Sequence, residues 1–240
     1  MKKIFLLLIA FVFASASQIT PMDFSKLKEK MPKFNGELLD IHLKLYEGYV
    51  REVNFIDEKI NKTSDSFMNQ SLRKQYAFEY DGMKLHELYF SQLGGNGDVK
   101  GSETIISKIT DQYAAVENFV LEVKSYAKTR GIGWVILFGN ISDGDLKLTW
   151  IQDHERGFLS GWVPLAVIDL WEHAYISQFG LNKDSYVDLC FEYMDWSVIN
   201  KRYTEGCKCT KLSYKKYTKK NSEVSHLKSK EKRKENSHAH

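Results

Sequence analysis

Cysteine is scarce, three in 240 residues, and two of the three stand together in Cys207-Lys208-Cys209. An odd count at that spacing excludes a dense disulfide framework, so stability must come from a core. Cysteines one residue apart close only a strained ring, so free thiols or bridges between chains are expected there. Short repeats are absent, with no Gly-X-Y period, which removes collagen, solenoid and mucin-like architectures. Long apolar runs are confined to Ile4–Ala14, and no later apolar run is as long. What is present is ample core material: 43% of residues are hydrophobic, 13% aromatic and 27% charged. At ~100–200 residues per domain this suits one substantial core or two small ones and excludes wholesale disorder.

The two ends differ from the rest. Lys2-Lys3, the run Ile4–Ala14 and the small residues Ala14-Ser15-Ala16-Ser17 have the charged, greasy and cleavable parts of a secretory signal over residues 1–16. An anchoring helix is the alternative, but the run is about half of the ~20 residues that a bilayer crossing needs. An exported protein, periplasmic or secreted, is therefore expected. At the other end, residues 208–240 hold eleven Lys/Arg against three Glu, a local +8 within a formal total of +3, so the preceding residues carry −5. Leu212, Val224 and Leu227 are its only aliphatic side chains larger than alanine, too few to fold alone, so a basic disordered tail is expected. Such a run is a solubilising end or a tether to an anionic surface or polyanion. Nothing in it specifies nucleic acid.

Between the ends, Phe34, Leu38, Leu39, Ile41, Tyr46, Tyr49, Val50 and Val53 recur at helical spacing, with Asn35 placed to cap the start. The polar stretch Asn61–Ser66 separates this from a second helical run reaching about Leu93, and Gly94-Gly95-Asn96-Gly97 breaks the chain. Ser102–Lys128 reads as two short helices. Trp134–Phe138, Leu146–Ile151 and Val163–Ile168 are β-branched and aromatic runs between turn residues, the first two a hairpin. Tyr175–Tyr203 returns to helical spacing. The expectation is an α+β fold: a helical hairpin over 17–96, then a mixed α/β domain over 97–207 with a small three-stranded antiparallel sheet.

The chemistry gathers in Asp169-Leu170-Trp171-Glu172-His173-Ala174-Tyr175. A carboxylate at a strand end and an imidazole four residues on can converge on one point, which suits a metal, although a capping Asp and a core His explain the spacing equally well. His42 and His86 sit on the apolar faces of the two long helices, where a lone histidine is ordinarily a core residue. Together the four make a three-histidine, one-carboxylate set. That mix suits iron or manganese with an open position better than structural zinc, which favours thiolates.

At these residues the chain resembles the iron/manganese superoxide dismutases. Asp169–Tyr175 matches that family's D-x-W-E-H-A-Y signature at every specified position. The resemblance runs from Pro32 to Tyr203 through the stretches around His42, Leu85-His86-Glu-Leu-Tyr-Phe90, Gly131-Ile-Gly-Trp134, Gln152-Asp153, Asp195-Trp196 and Arg202-Tyr203. It implies dismutation of superoxide at a single manganese or iron ion held by His42, His86, Asp169 and His173. Tyr49 becomes the gateway tyrosine and Gln152 the amide that hydrogen-bonds solvent beside the metal. Trp134 and Trp171 wall the pocket, Glu172 and Tyr175 join two sites across a homodimer, and Lys183, with Lys44 as a second position, steers superoxide inward. Gly82, four residues before His86, and Gln152 are the family's manganese-type residues, so manganese is favoured.

Two departures accompany the match. Tyr49 follows His42 by seven residues, one fewer than is usual in the family, which on a regular helix shifts their relative direction by about 100° unless a π-bulge has been lost as well. The imidazole that the family places on this stretch is replaced by Leu45 or Tyr46, leaving Tyr49 and Tyr175 without that neighbour. The competing expectation is a weakly active or inactive exported protein that keeps the fold as a metal-binding or adhesive module.

Overall fold

The computed structural model describes residues 18–60 and 62–207. The leader expected over 1–16, and the tail over 208–240 with Cys209, lie outside the described residues.

A single turn of helix, α1 (Leu27–Lys30), precedes α2 (Gly36–Ile60). Asn35 starts α2: its Oδ1 accepts from the N–H groups of Glu37 at 2.8 Å and Leu38 at 3.2 Å, satisfying donors that a helix start leaves without partners. Asp65 does the same for α3 (Ser66–Ser91), accepting from Met68 N at 2.7 Å. The two long helices pack on each other as a hairpin. The 94–97 segment then lies against the chain entering the last helix, with Gly95 N donating to Tyr193 O at 3.0 Å. A Cβ at Gly95 would stand 2.7 Å from Met194 O, so only glycine permits this approach.

Helices α4 (Glu103–Tyr113) and α5 (Val116–Ala127) follow, then strands β1 (Gly133–Asn140), β2 (Leu146–Gln152) and β3 (Trp162–Asp169). The sheet order is β2-β1-β3 and both pairings are antiparallel. The central strand β1 is buried from Gly133 to Gly139, which accounts for its unbroken apolar run where an alternating pattern would mark a half-exposed strand. In β3, Ala166 faces Leu137 and Pro164 faces Phe138, so Leu165 is the extra residue of a bulge beside a proline that has no N–H to pair.

The run expected to be helical from Tyr175 to Tyr203 is three helices: α6 (Ile176–Phe179), α7 (Lys183–Glu192) and α8 over residues 196–207. Gly180 at φ 55° ends α6, and the Asn182 side chain caps α7 by accepting from Ser185 N at 3.1 Å. A bridge between Leu93 and Met194 interrupts the chain before α8. Such short breaks leave the apolar period intact and are invisible to it. One hydrophobic core joins the hairpin (Tyr46, Phe90), the sheet (Trp134, Phe138) and the last helices (Tyr186, Trp196). Cys207 belongs to this core at 1% exposure, and a Cβ on Gly139 would come within 2.6 Å of its sulfur. Buried there, it is out of reach of the bridge between chains that the sequence allowed.

Candidate metal centre

Four elements converge at the heart of this core. α2 contributes His42, α3 contributes His86, the end of β3 contributes Asp169, and the short 3₁₀ turn Glu172–Ala174 contributes His173. One ligand atom from each lies within 4.8 Å of all the others. For bonds of ~2.0–2.2 Å, donor atoms around one ion stand ~3–4 Å apart, so the group is close to the size of a coordination shell and needs only a small contraction to form one. His42, His86 and Asp169 are at most 1% exposed, and His173 closes the set from the partly open side.

Asp169 is the hub. Its Oδ1 accepts from the backbone N–H of Trp171 at 2.8 Å, which aims Oδ2 at the histidines. Oδ2 lies 3.1 Å from His42 Nε2, 3.2 Å from His173 Nε2 and 3.6 Å from His86 Nε2. His86 donates from Nδ1 to the carbonyl of Gly82 at 2.6 Å, so its Nε2 carries a lone pair, buried and without a hydrogen-bond partner. A lone pair facing a carboxylate oxygen is a repulsive pairing unless a cation joins them, so the donors present fit a metal ion. Burial lowers the proton affinity of His42 and His86 and keeps them neutral, the form that ligates. For Asp169, burial alone would raise the pKa, but His173 and His42 together outweigh it and hold the carboxyl below its usual range.

Around these four, Tyr49 and His42 share one face of a regular α2. Seven residues are nearly two full turns, within ~20° of each other, and no π-bulge interrupts the helix. The Tyr49 ring lies 5.1 Å from His86. The Trp134 ring stands 5.1 Å from His86, and Trp171 stacks 6.0 Å from His173, so both indoles lie against the cluster. Gly82 leaves room for Tyr49: a Cβ there would meet two of its ring carbons at 2.8 Å.

Gln152 is not in the site. β2 turns Ile151 inward and Gln152 to solvent, and the Gln152 backbone pairs with Arg156 across a tight turn in which Asp153 takes φ 54°. That turn throws His154 inward, against Tyr49 and Trp134. His154 is fully buried, accepts from Trp134 Nε1 at Nδ1 (3.0 Å) and stands 2.7 Å from Tyr49 Oη at Nε2. The indole can only donate, so Nδ1 is bare and Nε2 carries the proton. His154 therefore donates to Tyr49, whose own proton is left to point elsewhere. Burial pushes the His154 pKa down to about 4 and that of Tyr49 well above the usual range. The sequence signal for His154 was its place two residues past Gln152, at the first turn after a strand. Phe78, also unforeseen, packs 4.6 Å from His154 and 6.3 Å from Trp171.

Lys44 is a second correction. It is exposed and, two residues from His42, lies ~200° around α2 from the site. Lys183 stands with its Nζ 5.4 Å above the Tyr175 ring and donates to Thr129 O at 3.4 Å. Tyr175 is buried and Glu172 exposed beside it. Tyr46 has other work: its hydroxyl accepts from Met22 N at 2.8 Å and donates to Glu87 at 3.2 Å, tying the segment before α1 to the hairpin.

Comparison with known proteins agrees with this geometry. Residues 101–202 match the model of the C-terminal domain of iron/manganese superoxide dismutases. A protein of Aquifex aeolicus named superoxide dismutase [Fe] is 32% identical over 201 residues, covering 80% of this chain and 93% of that protein. One of Aeropyrum pernix named superoxide dismutase [Mn/Fe] is 28% identical over 203 residues, covering 81% and 92%. One of Halobacterium salinarum named superoxide dismutase [Mn] 1 is 25% identical over 190 residues, covering 78% and 93%.

Proposed function

This chain belongs to the iron/manganese superoxide dismutases, and from that premise we propose that it disproportionates superoxide at one iron or manganese ion held by His42, His86, Asp169 and His173. The observation that carries the assignment of the site is the convergence of three imidazole nitrogens on one buried carboxylate oxygen, with the lone pair of His86 unmatched. The ion would supply a one-electron couple, so that one superoxide is oxidised to oxygen and the next, with two protons, is reduced to hydrogen peroxide.

The protein's own part follows from its contacts. The Gly82 carbonyl fixes the tautomer of His86, and the Trp171 amide fixes the carboxylate, as groups behind a ligand commonly do. Trp134, Trp171 and Phe78 exclude bulk water. His154, donating to Tyr49, leaves the tyrosine proton available to the pocket, so the pair holds a proton where a reduced dioxygen species needs one. Lys183 beside Tyr175 offers a positive charge that draws a small anion inward in a salt-dependent way.

The preference for manganese drawn from the sequence leaned on Gly82 and Gln152. With Gln152 at the surface, it rests on Gly82 alone. The reading of an inactive module leaned on lost polarity at Leu45 and Tyr46, but Tyr46 is hydrogen-bonded at both ends of its new role. Further parts of the proposal are a homodimer through Glu172 and Tyr175, export directed by residues 1–16, and tethering of residues 208–240 to anionic surfaces. The chain from residue 17 onward, reconstituted separately with manganese and with iron and assayed for metal content and superoxide consumption, tests the central reading. One equivalent of metal with activity in at least one form is expected; metal-free, inactive protein would overturn it.

A further inference from the structure

β3 is the strand that delivers Asp169, and among the described residues it is an edge strand: β1 covers one side and no strand covers the other. Its outer polar groups are taken up by side chains. Gln92, the fully buried residue that closes α3, donates from Nε2 to the carbonyl of Val167 and accepts at Oε1 from Val167 N–H at 3.1 Å. One side-chain amide thus does for Val167 what a neighbouring strand residue would. The Gln92 carbonyl accepts from Asp195 N at 2.8 Å, which ties the same residue to the start of α8.

Arg202, on α8, completes the arrangement. Its Nη1 donates to Gln92 Oε1 at 3.2 Å and to the carbonyl of Leu165, the bulge residue, at 2.7 Å. Its Nη2 donates to Leu88 O and to Ser91 Oγ, both at 2.8 Å, at the C-terminal end of α3. Burial lowers its pKa to about 10, and no acidic side chain among the described residues pairs with it. A partly buried guanidinium held by neutral acceptors alone is costly to keep, and its partners are α3 carbonyl and hydroxyl groups, the Gln92 side chain and the edge of β3.

These groups join the two elements that carry opposing ligands. His86 lies six residues before Gln92 on α3, and Asp169 lies two residues after Val167 on β3. We propose that Gln92, braced by Arg202, is a positioning residue for the metal centre: it sets the distance and register between α3 and β3, and through them the approach of Asp169 Oδ2 to His86 Nε2. The proposal rests on the metal-site reading above. The apolar contacts between α3 and β3 can slide, whereas a two-point amide contact with the Val167 peptide group fixes both the height and the direction of the strand.

The test uses the metal-loaded full chain and follows metal release to excess chelator, the visible absorption of the oxidised metal form, and the melting temperature. Gln92→Met keeps the volume and removes the amide, and should release metal about tenfold faster or more, the size usual for groups behind ligands. Phe119→Leu, in the core of α5, is the control for general loosening and should melt earlier with wild-type release and absorption. Gln92→Glu keeps an acceptor for Val167 N–H and gives Arg202 a counter-charge. It should melt no earlier than wild type while still releasing metal several-fold faster and with a shifted band. Release and absorption in both Gln92 variants equal to those of the control would overturn the positioning role. A wild-type chain that holds no metal would overturn the site reading itself, and the positioning role with it.

Discussion

His86 illustrates how one side chain is committed by its second nitrogen. With Nδ1–H spent on Gly82 O, Nε2 has nothing to accept from except a proton or a cation, and burial disfavours the proton. His86→Ala should therefore abolish metal retention, measured by metal analysis after dialysis, while apolar neighbours such as Leu85 and Phe90 keep the helix packed. His154 makes a second prediction at this scale. Its imidazole stays neutral in the folded protein down to about pH 4, whereas the unfolded chain takes up a proton near 6.5. Between those values the unfolded state binds more protons, so stability falls as pH is lowered through that window. In the metal-free protein His42 and His86 act in the same direction, so the difference between wild type and His154→Gln isolates His154. Urea unfolding at several pH values should show a shallower loss in the variant, by on the order of 1–3 kcal/mol across the window. Equal slopes would contradict the buried, neutral tautomer.

At the scale of elements, α2 and α3 touch through Tyr49 and Gly82, where the absence of a Cβ lets the tyrosine ring lie against the backbone of the neighbouring helix. Gly82→Ala gains helix propensity but drives a methyl group into ring carbons 2.8 Å away. Overpacking of that kind costs ~1–3 kcal/mol, and moving the ring breaks the 2.7 Å contact with His154. Unfolding measurements should show net destabilisation; a neutral or stabilised variant would mean that the helices part at little cost. The elements themselves were largely legible. The cap at Asn35, the apolar periods and the turn residues located both long helices, the pair over Ser102–Lys128 and all three strands. The C-terminal stretch of helical spacing divides into three helices because Gly180 and the bridge at Met194 interrupt it without changing its apolar period.

For the whole molecule, Glu172 and Tyr175 lie beside His173, and a twofold assembly would make their contacts reciprocal. Sedimentation of the chain from residue 17 onward should give a dimer at micromolar concentration, and Glu172→Ala should weaken it and lower activity; a monomer with unchanged activity would contradict the interface. Truncation after Thr210 should leave dismutase activity intact and remove salt-sensitive binding to vesicles containing anionic lipid, because the +8 lies beyond that point almost entirely. Equal vesicle binding by the full and truncated chains would exclude tethering.

The residue types, their spacing and the signature Asp169–Tyr175 determined by themselves the α+β class, the caps at Asn35 and the four candidate ligands. Those features are local, or are shared with a family whose pattern is written in contiguous residues. Tertiary structure alone decided that His154 and not Gln152 reaches Tyr49, that Lys44 faces away, that Cys207 is core, and that Gln92 and Arg202 close the edge of β3. Each of these depends on which way a side chain leaves a turn, a helix or a strand edge. That direction is set by a φ of 54° at Asp153, by the 100° step of α2 or by the partner across the sheet, none of which residue identity reveals.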